Sequence, residues 1–324
     1  MMRTIEEKIA EYFSSFSLTI SEKYPKNKIY LYADYIELIA LFFNENPLSV
    51  GEIMSRFRDE GLFNERKSDS AQAEENDKNE TFVRSIFSVL NDRKSLFGEN
   101  YPFDYEDEKL SLKKIFLPKN KIYLFLLLAS DLSNFSIFQP CLTAEFETIS
   151  HNVLKNYLPS SAITKSFGSD SDFTGYFNNK IVQLGKLMNI EPDNMFLESF
   201  SDKGTKDGGL DVIGWIPFED SISNYISIFA QCACGKDWKK KLNETRRFNR
   251  VLKVYLNKIS HTLFVPYALI NYNKSEFYEH HEFGEDTLIF ERKRILSLVS
   301  GDDFEKLKTK LLINKCIDFE EDIV

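Results

Sequence analysis

The sequence predicts an α/β (α+β) chain, with an N-terminal helical domain over residues 1–138 and a mixed sheet flanked by helices over 139–324. Three observations carry this reading. Through most of the first 135 residues, apolar side chains recur every three to four positions, the spacing of helices packed on one another. Beyond Pro140, helical spacing alternates with short β-rich runs, LDVIGWI and YISIFAQCAC. A chain of 324 residues has room for two domains, and 43% hydrophobic with 28% charged residues is the balance of a soluble globular protein.

In the first domain, Ile5, Ile9, Tyr12, Phe13 and Phe16 share one helix face, so residues 5–16 form a helix. Residues 32–43 (YADYIELIALFF) form a second, largely buried one. Ser49 with Glu52 three positions on is a capping box that opens a helix through Phe57. A plain helical bundle is the preferred reading of this order; a helix-turn-helix or winged-helix unit is the alternative. Residues 64–80 hold no apolar side chain larger than Ala and are expected to form a flexible loop. Helical spacing resumes at 82–90, Tyr101-Pro102-Phe103 reads as a turn, and 122–132 reads as a central core helix.

In the second domain, 142–157 is a helix with Thr143 as its N-cap and Phe146, Ile149, Val153 and Leu154 on one face. Residues 173–188 form another. Asp207-Gly208-Gly209 is turn chemistry leading into a strand at 210–216, which Pro217 stops. A second strand covers 225–234 and ends at Gly235. A long basic helix follows over 238–257, then a strand at 263–270 and helices at 288–299 and 303–313. Strands joined by short turns and followed by a crossover imply a mixed sheet.

Composition narrows the function. No apolar run is long enough to span a bilayer, and the start, MMRTIEEKIAEYF, lacks the apolar core of a signal peptide, so a cytoplasmic protein without membrane contact is expected. Four cysteines fit a reducing compartment, and Cys232 and Cys234 read as small buried strand residues rather than zinc ligands. The net charge of -9 speaks against a dedicated DNA-binding module, so a nucleic-acid surface must be local. No P-loop, G-x-G-x-x-G, H-E-x-x-H or G-x-S-x-G pattern is present. The run EHHEFGED around His280 and His281 reads as a polar loop.

The chemistry concentrates at GGLDVIGWIPFEDSISNYISIFAQCACGKDWKKK, residues 208–241. Asp211 lies inside an apolar strand, where a carboxylate is costly unless something pairs with it. Gln231 shares a strand face with Phe229 and Ala233 and likewise needs partners. A basic segment follows, with Lys236, Lys239, Lys240, Lys241, Arg246, Arg247, Arg250 and Lys253. Arg246, Arg250 and Lys253 would share one helix face and track a phosphate backbone.

From Leu142 onward, G-L-D ending in Asp211 followed by Q-C-A-C-G-K-D-W from Gln231 to Trp238 resembles the PD-(D/E)XK, or restriction-endonuclease-like, nuclease superfamily. The resemblance implies a restriction-endonuclease-like core and Mg²⁺- or Mn²⁺-dependent phosphodiester hydrolysis, with DNA as the substrate. It implies Asp211 as the main metal ligand, Gln231 as a second and an acid on the preceding helix, Glu147 rather than Glu145, as a third. The chain departs from the pattern at Ala233, where the usual lysine would stand. Lys241, one turn past Trp238, or Lys236 would then serve the attacking water. Lys239, Lys240, Arg246, Arg250 and Lys253 would contact nucleic acid. A protein partner or a homo-oligomer is expected to restrain such an activity, as in an anti-phage setting. The rival reading is a catalytically degenerate subunit that binds nucleic acid or assembles a complex.

Overall fold

Helices form where apolar residues repeat with helical spacing, and strands where β-branched and aromatic residues cluster between turns. The computed structural model describes residues 3–20, 23–63, 69–198, 208–254, 258–283 and 286–319. The chain begins with α1 (Ile5–Ser14) and α2 (Ile29–Phe42), followed by β1 (Leu48–Ser49), α3 (Val50–Asp59) and α4 (Asp69–Phe97). A hairpin, β2 (Phe103–Glu106) and β3 (Lys109–Leu112), leads to α5 (Pro118–Ser130) and α6 (Gln139–Tyr157). Then come β4 (Ile163–Ser166), α7 (Phe177–Met188), α8 (Asn194–Leu197), β5 (Val212–Trp215) and β6 (Ile226–Cys232). The last third holds α9 (Phe248–Val251), β7 (Lys258–Phe264), β8 (Ile270–Asn271), β9 (Glu276–Phe277), β10 (Thr287–Phe290), α10 (Arg292–Leu298) and α11 (Lys310–Ile317).

Two compact units result. One comprises Met1–Gln139, Tyr267–His280 and Ser300–Val324; the other comprises Pro140–Pro266 and His281–Val299. The expected division at 138/139 falls beside the Gln139 boundary, but two later segments group with the first unit rather than with the rest of 139–324. Aromatic packing accounts for this: Tyr267 and Tyr278 lie against Tyr30, and Phe319 lies against Phe13, Phe16 and Phe42.

The first unit is not the plain helical bundle. β1, β3 and β2 form a three-stranded antiparallel sheet in that order, so α2, β1, α3, α4 and the β2–β3 hairpin give the helix-turn-helix-plus-wing alternative. The hairpin turn places Asp107 and Glu108 at positive φ, 48° and 55°, where Asn and Gly are usual, which hid it from the sequence. The expected loop at 64–80 is also corrected. Residues 69–80 are the first turns of α4, while 64–68 lie outside the described residues. That stretch lacks an apolar face but consists of helix-tolerant residues, and Glu74–Lys78 and Glu80–Arg84 pairs one turn apart support it. The Ser49–Glu52 capping box is present as expected.

The second unit is built on a five-stranded mixed sheet in the order β10-β7-β6-β5-β4. β4, β5 and β6 run antiparallel; β7 is parallel to β6, and β10 is parallel to β7. α6 covers one face at Gly214, where a β-carbon would stand 3.2 Å from Leu154 Cδ2. On the other face, Ile213, Trp215 and Phe229 pack with Phe177, Ile181 and Leu184 of α7 and with Phe248 and Val251 of α9. The fold class is thus α/β, with helices on a mixed sheet.

Several expected boundaries move. The strand read at 263–270 is β7, ending at Phe264, and residues 288–299 divide into β10 and α10. α6 starts at Gln139, so Thr143 lies within the helix, where its hydroxyl donates to Pro140 O at 3.4 Å, and does not cap it. The basic helix over 238–257 is absent as such. Its described part is two 3-10 turns, Trp238–Lys241 and Glu244–Arg247, followed by α9, and 255–257 lie outside the described residues. Trp238, Leu242, Thr245 and Phe248 are all buried, a spacing that a single helix face would also satisfy, so the pattern alone does not tell short turns from one helix. Among the described residues, no helix is long and apolar enough to cross a membrane.

Candidate functional site

Two left-handed glycines set the entry to β5. Gly208 and Gly209 have φ of 65° and 80°, a region only glycine enters without strain. Asp211 follows, one residue before the strand. Its N–H donates to Ala230 O at 2.9 Å, and its carbonyl accepts from Phe167 N at 2.7 Å and Gly168 N at 3.1 Å. The backbone of Asp211 is therefore clamped from both sides. Asp211 is 6% exposed, and its Oδ2 accepts from Cys232 N at 2.7 Å.

Glu147 arrives from α6. Ser169 N and Ser169 Oγ donate to its two oxygens at 2.7 and 3.0 Å. The carboxylates of Glu147 and Asp211 converge at Gly168: a β-carbon there would collide with Glu147 Oε2 and lie 3.0 Å from Asp211 Oδ1. The same convergence appears in the neighbouring thiols. Burial, then the negative charges of Asp211 and Glu147, push Cys232 well above the ordinary thiol range, and Cys234 rises for the same reasons. Both shifts favour the protonated thiol over the thiolate.

Gln231 lies on β6. Val212 pairs with Ala230, and Asp211 N–H also donates to Ala230 O, so the regular β5–β6 ladder ends at Val212, next to the Ala230–Gln231 stretch. Gln231 is 2% exposed. Its Nε2 donates to Glu244 Oε2 at 2.6 Å, while Oε1 is buried without a hydrogen-bond partner among the described residues. Glu244 was not among the residues singled out from sequence. Nothing in the local pattern marks it, since it meets Gln231 only through the path of the chain between β6 and β7.

Of the two candidate lysines, Lys241 sits at the end of the first 3-10 turn, and its charge reaches Cys234, opposing the rise caused there by burial, Glu147 and Asp211. Lys236 is half-buried just past β6. The remaining basic residues do not form one stripe. Lys239 pairs with Glu282 at 3.4 Å, Lys240 with Asp237 at 2.6 Å and Lys253 with Glu191 at 3.2 Å. Arg246 pairs with Asp286, whose carboxyl it lowers to about 2, and Arg250 is exposed on α9. His280 and His281 are exposed near Glu276 and Glu282; Glu285 lies outside the described residues.

Among the described residues, no group of three or more His, Cys, Asp or Glu side chains is arranged to hold a metal ion. Two carboxylates and an amide oxygen are a different donor set, and it suits Mg²⁺, which takes one or two carboxylates and retains several waters. The unpartnered Gln231 Oε1 fits such a cation, because a buried acceptor normally finds a donor or an ion. No protein-family model, curated protein or solved structure matches the chain.

Proposed function

We propose that the chain is a Mg²⁺- or Mn²⁺-dependent nuclease that hydrolyses phosphodiester bonds of DNA, a member of the PD-(D/E)XK superfamily serving in anti-phage defence in the cytoplasm. One observation carries the reading: the carboxylates of Glu147 and Asp211 meet at Gly168, and a buried, unpartnered acceptor, Gln231 Oε1, belongs to the strand that pairs with β5. The connectivity supports it. An acid-bearing helix, an antiparallel meander carrying Asp211 and Gln231, and a crossover into a parallel strand agree with the core that the resemblance implies.

In this reading Asp211 and Glu147 hold the cation, with Gln231 Oε1 as the third protein donor. The bound metal would supply positive charge that polarises the scissile phosphate and acidifies an attacking water. Lys241 orients that water and offsets charge developing on the phosphate, with Lys236 as the alternative. Lys239, Lys240, Arg246, Arg250 and Lys253 hold the phosphate backbone. The ion pairs of Lys239, Lys240 and Lys253 are partly exposed and worth at most about 1 kcal/mol each, so exchanging a carboxylate for a phosphate costs little. A protein partner or a second copy restrains the activity.

Ala233, where the superfamily's usual lysine would stand, favours a second reading: a degenerate nuclease-fold subunit that binds nucleic acid or assembles a complex. The deciding experiment incubates supercoiled and linear DNA with Mg²⁺, Mn²⁺ or EDTA, using wild type and Asp211→Ala. Metal-dependent cleavage lost in Asp211→Ala is the expected result. Absence of cleavage together with absence of metal binding by calorimetry would favour the degenerate subunit.

A further inference from the structure

We infer that Glu244 is a positioning residue, which fixes the side-chain amide of Gln231 so that its carbonyl oxygen, not its amino group, is presented to the cation. This rests on the proposed metal site and adds a residue to it.

The argument starts from the two ends of one amide. Gln231 Nε2 donates to Glu244 Oε2 at 2.6 Å, and Oε1 is buried without a hydrogen-bond partner among the described residues. A glutamine amide can flip by half a turn at little steric cost, because its oxygen and nitrogen are nearly equal in size. An ionised carboxylate, however, only accepts hydrogen bonds. A flipped Gln231 would set oxygen against oxygen at Glu244 and put its amino group where the buried oxygen now stands, an end that would repel a cation. Glu244 therefore selects the one orientation in which Gln231 can act as a ligand. Partners of this kind commonly govern how a metal ligand is aimed.

Glu244 is itself held in place. It opens the 3-10 turn Glu244–Arg247, whose Thr245 is buried with its hydroxyl 3.0 Å from His261 Nδ1 on β7. The other side is closed by Gly209, where a β-carbon would stand 2.6 Å from Glu244 Oε2 and 3.3 Å from Gln231 Nε2. The glycine pair before Asp211 thus makes room for the Gln231–Glu244 contact as well as turning the chain.

The test titrates Mn²⁺ into full-length protein by calorimetry and by the electron paramagnetic resonance of free Mn²⁺, so no turnover is needed. Wild type is expected to bind and Asp211→Ala to lose binding. Glu244→Ala is expected to bind roughly tenfold or more weakly, with an unchanged circular dichroism spectrum. The swap Gln231→Glu with Glu244→Gln reverses the polarity of the contact and still aims an oxygen at the cation, so binding should return to at least the wild-type level. Wild-type affinity in Glu244→Ala, or a loss that the swap does not repair, overturns the positioning role while the metal site stands. No Mn²⁺ binding by wild type, or equal binding by Asp211→Ala, overturns both. If Glu244→Ala does not fold, the swap compared with Gln231→Glu alone decides: recovery supports the role, and equal affinity overturns it.

Discussion

Glu147 and Asp211, 64 positions apart in the chain, aim their carboxylates at the same point beside Gly168, where a β-carbon would stand 3.0 Å from Asp211 Oδ1 and collide with Glu147 Oε2. Gly168→Ala should therefore push the Glu147 carboxylate away and break its hydrogen bonds from Ser169 N and Oγ. The expected result is a fall in Mn²⁺ affinity of roughly tenfold, by analogy with loss of a ligand's support. Folding stability should drop by about 1 kcal/mol, the usual size for a single substitution. Calorimetric titration and urea unfolding of the variant check the two parts separately.

Lys241 and Lys236 are separable by rate and affinity. Trp238, 1% exposed and stacked on Phe283 with ring centroids 5.5 Å apart, anchors the turn that ends in Lys241. A lysine that serves the attacking water acts in the transition state, not in holding the cation. Lys241→Ala should then slow DNA cleavage by roughly a hundredfold or more while Mn²⁺ affinity stays near that of wild type. Lys236→Ala should leave both close to wild type. Single-turnover cleavage rates paired with metal titrations test this, and the reverse pattern would move the role to Lys236.

The division between what could and could not be read from the sequence follows the range of the interactions. Ser49 with Glu52, the turn at Gly208-Gly209, and the strands around Asp211 and Gln231 are specified by neighbours within a few positions, and all were legible. The hairpin at 103–112 was not, because its turn uses Asp107 and Glu108 where Asn and Gly would have announced it. The segment 69–80 has no apolar face to announce a helix, and it is helical because α4 continues through the apolar residues from Phe82 onward. Residues 238–254 carry a helix-compatible composition and spacing, yet form short turns in which Trp238 stacks on Phe283, Thr245 meets His261 and Phe248 joins the core, contacts that only the folded chain supplies. Glu244 belongs to that class: only the folded chain brings it to Gln231.

His261 gives the second unit a pH-dependent stability with a definite sign. It is 3% exposed on β7, with Nδ1 3.0 Å from Thr245 Oγ1 and Nε2 3.3 Å from Asn249 Nδ2. An amide N–H donating to Nε2 leaves the ring proton on Nδ1, which is the neutral form. Burial, reinforced by Arg246 and partly opposed by Asp286, lowers its pKa below 6.5. Between that lowered value and 6.5 the unfolded chain binds the additional proton, so stability rises with pH and is lost as pH falls below about 6.5. His151, lowered mainly by burial, adds to the same slope. The urea midpoint should decline from about pH 7.5 to pH 5, and His261→Gln should show a shallower decline without abolishing it. An unchanged slope in the variant would assign the pH dependence elsewhere.

Arg93 holds together the interior of the first unit. Its guanidinium on α4 is 3% exposed, with Nη1 2.8 Å from Asp34 Oδ1 and 2.7 Å from Glu37 Oε1 of α2, and Nη2 donates to Tyr30 O at 3.0 Å. The hydroxyls of Tyr101 and Tyr123 donate to Glu37 at 2.8 and 2.9 Å, and Ser130 Oγ donates to Asp34 at 3.2 Å. Two carboxylates share one cation, so removing it strands both charges in a core of Leu, Ile and Phe. Arg93→Met keeps much of the volume and removes the charge; it should destabilise the unit by about 3–5 kcal/mol, read from urea unfolding. Adding Asp34→Asn and Glu37→Gln to Arg93→Met removes the stranded charges and should recover a large share of that loss. The recovery distinguishes the two causes: a cavity left by the arginine would persist in the triple variant, whereas an uncompensated charge would not.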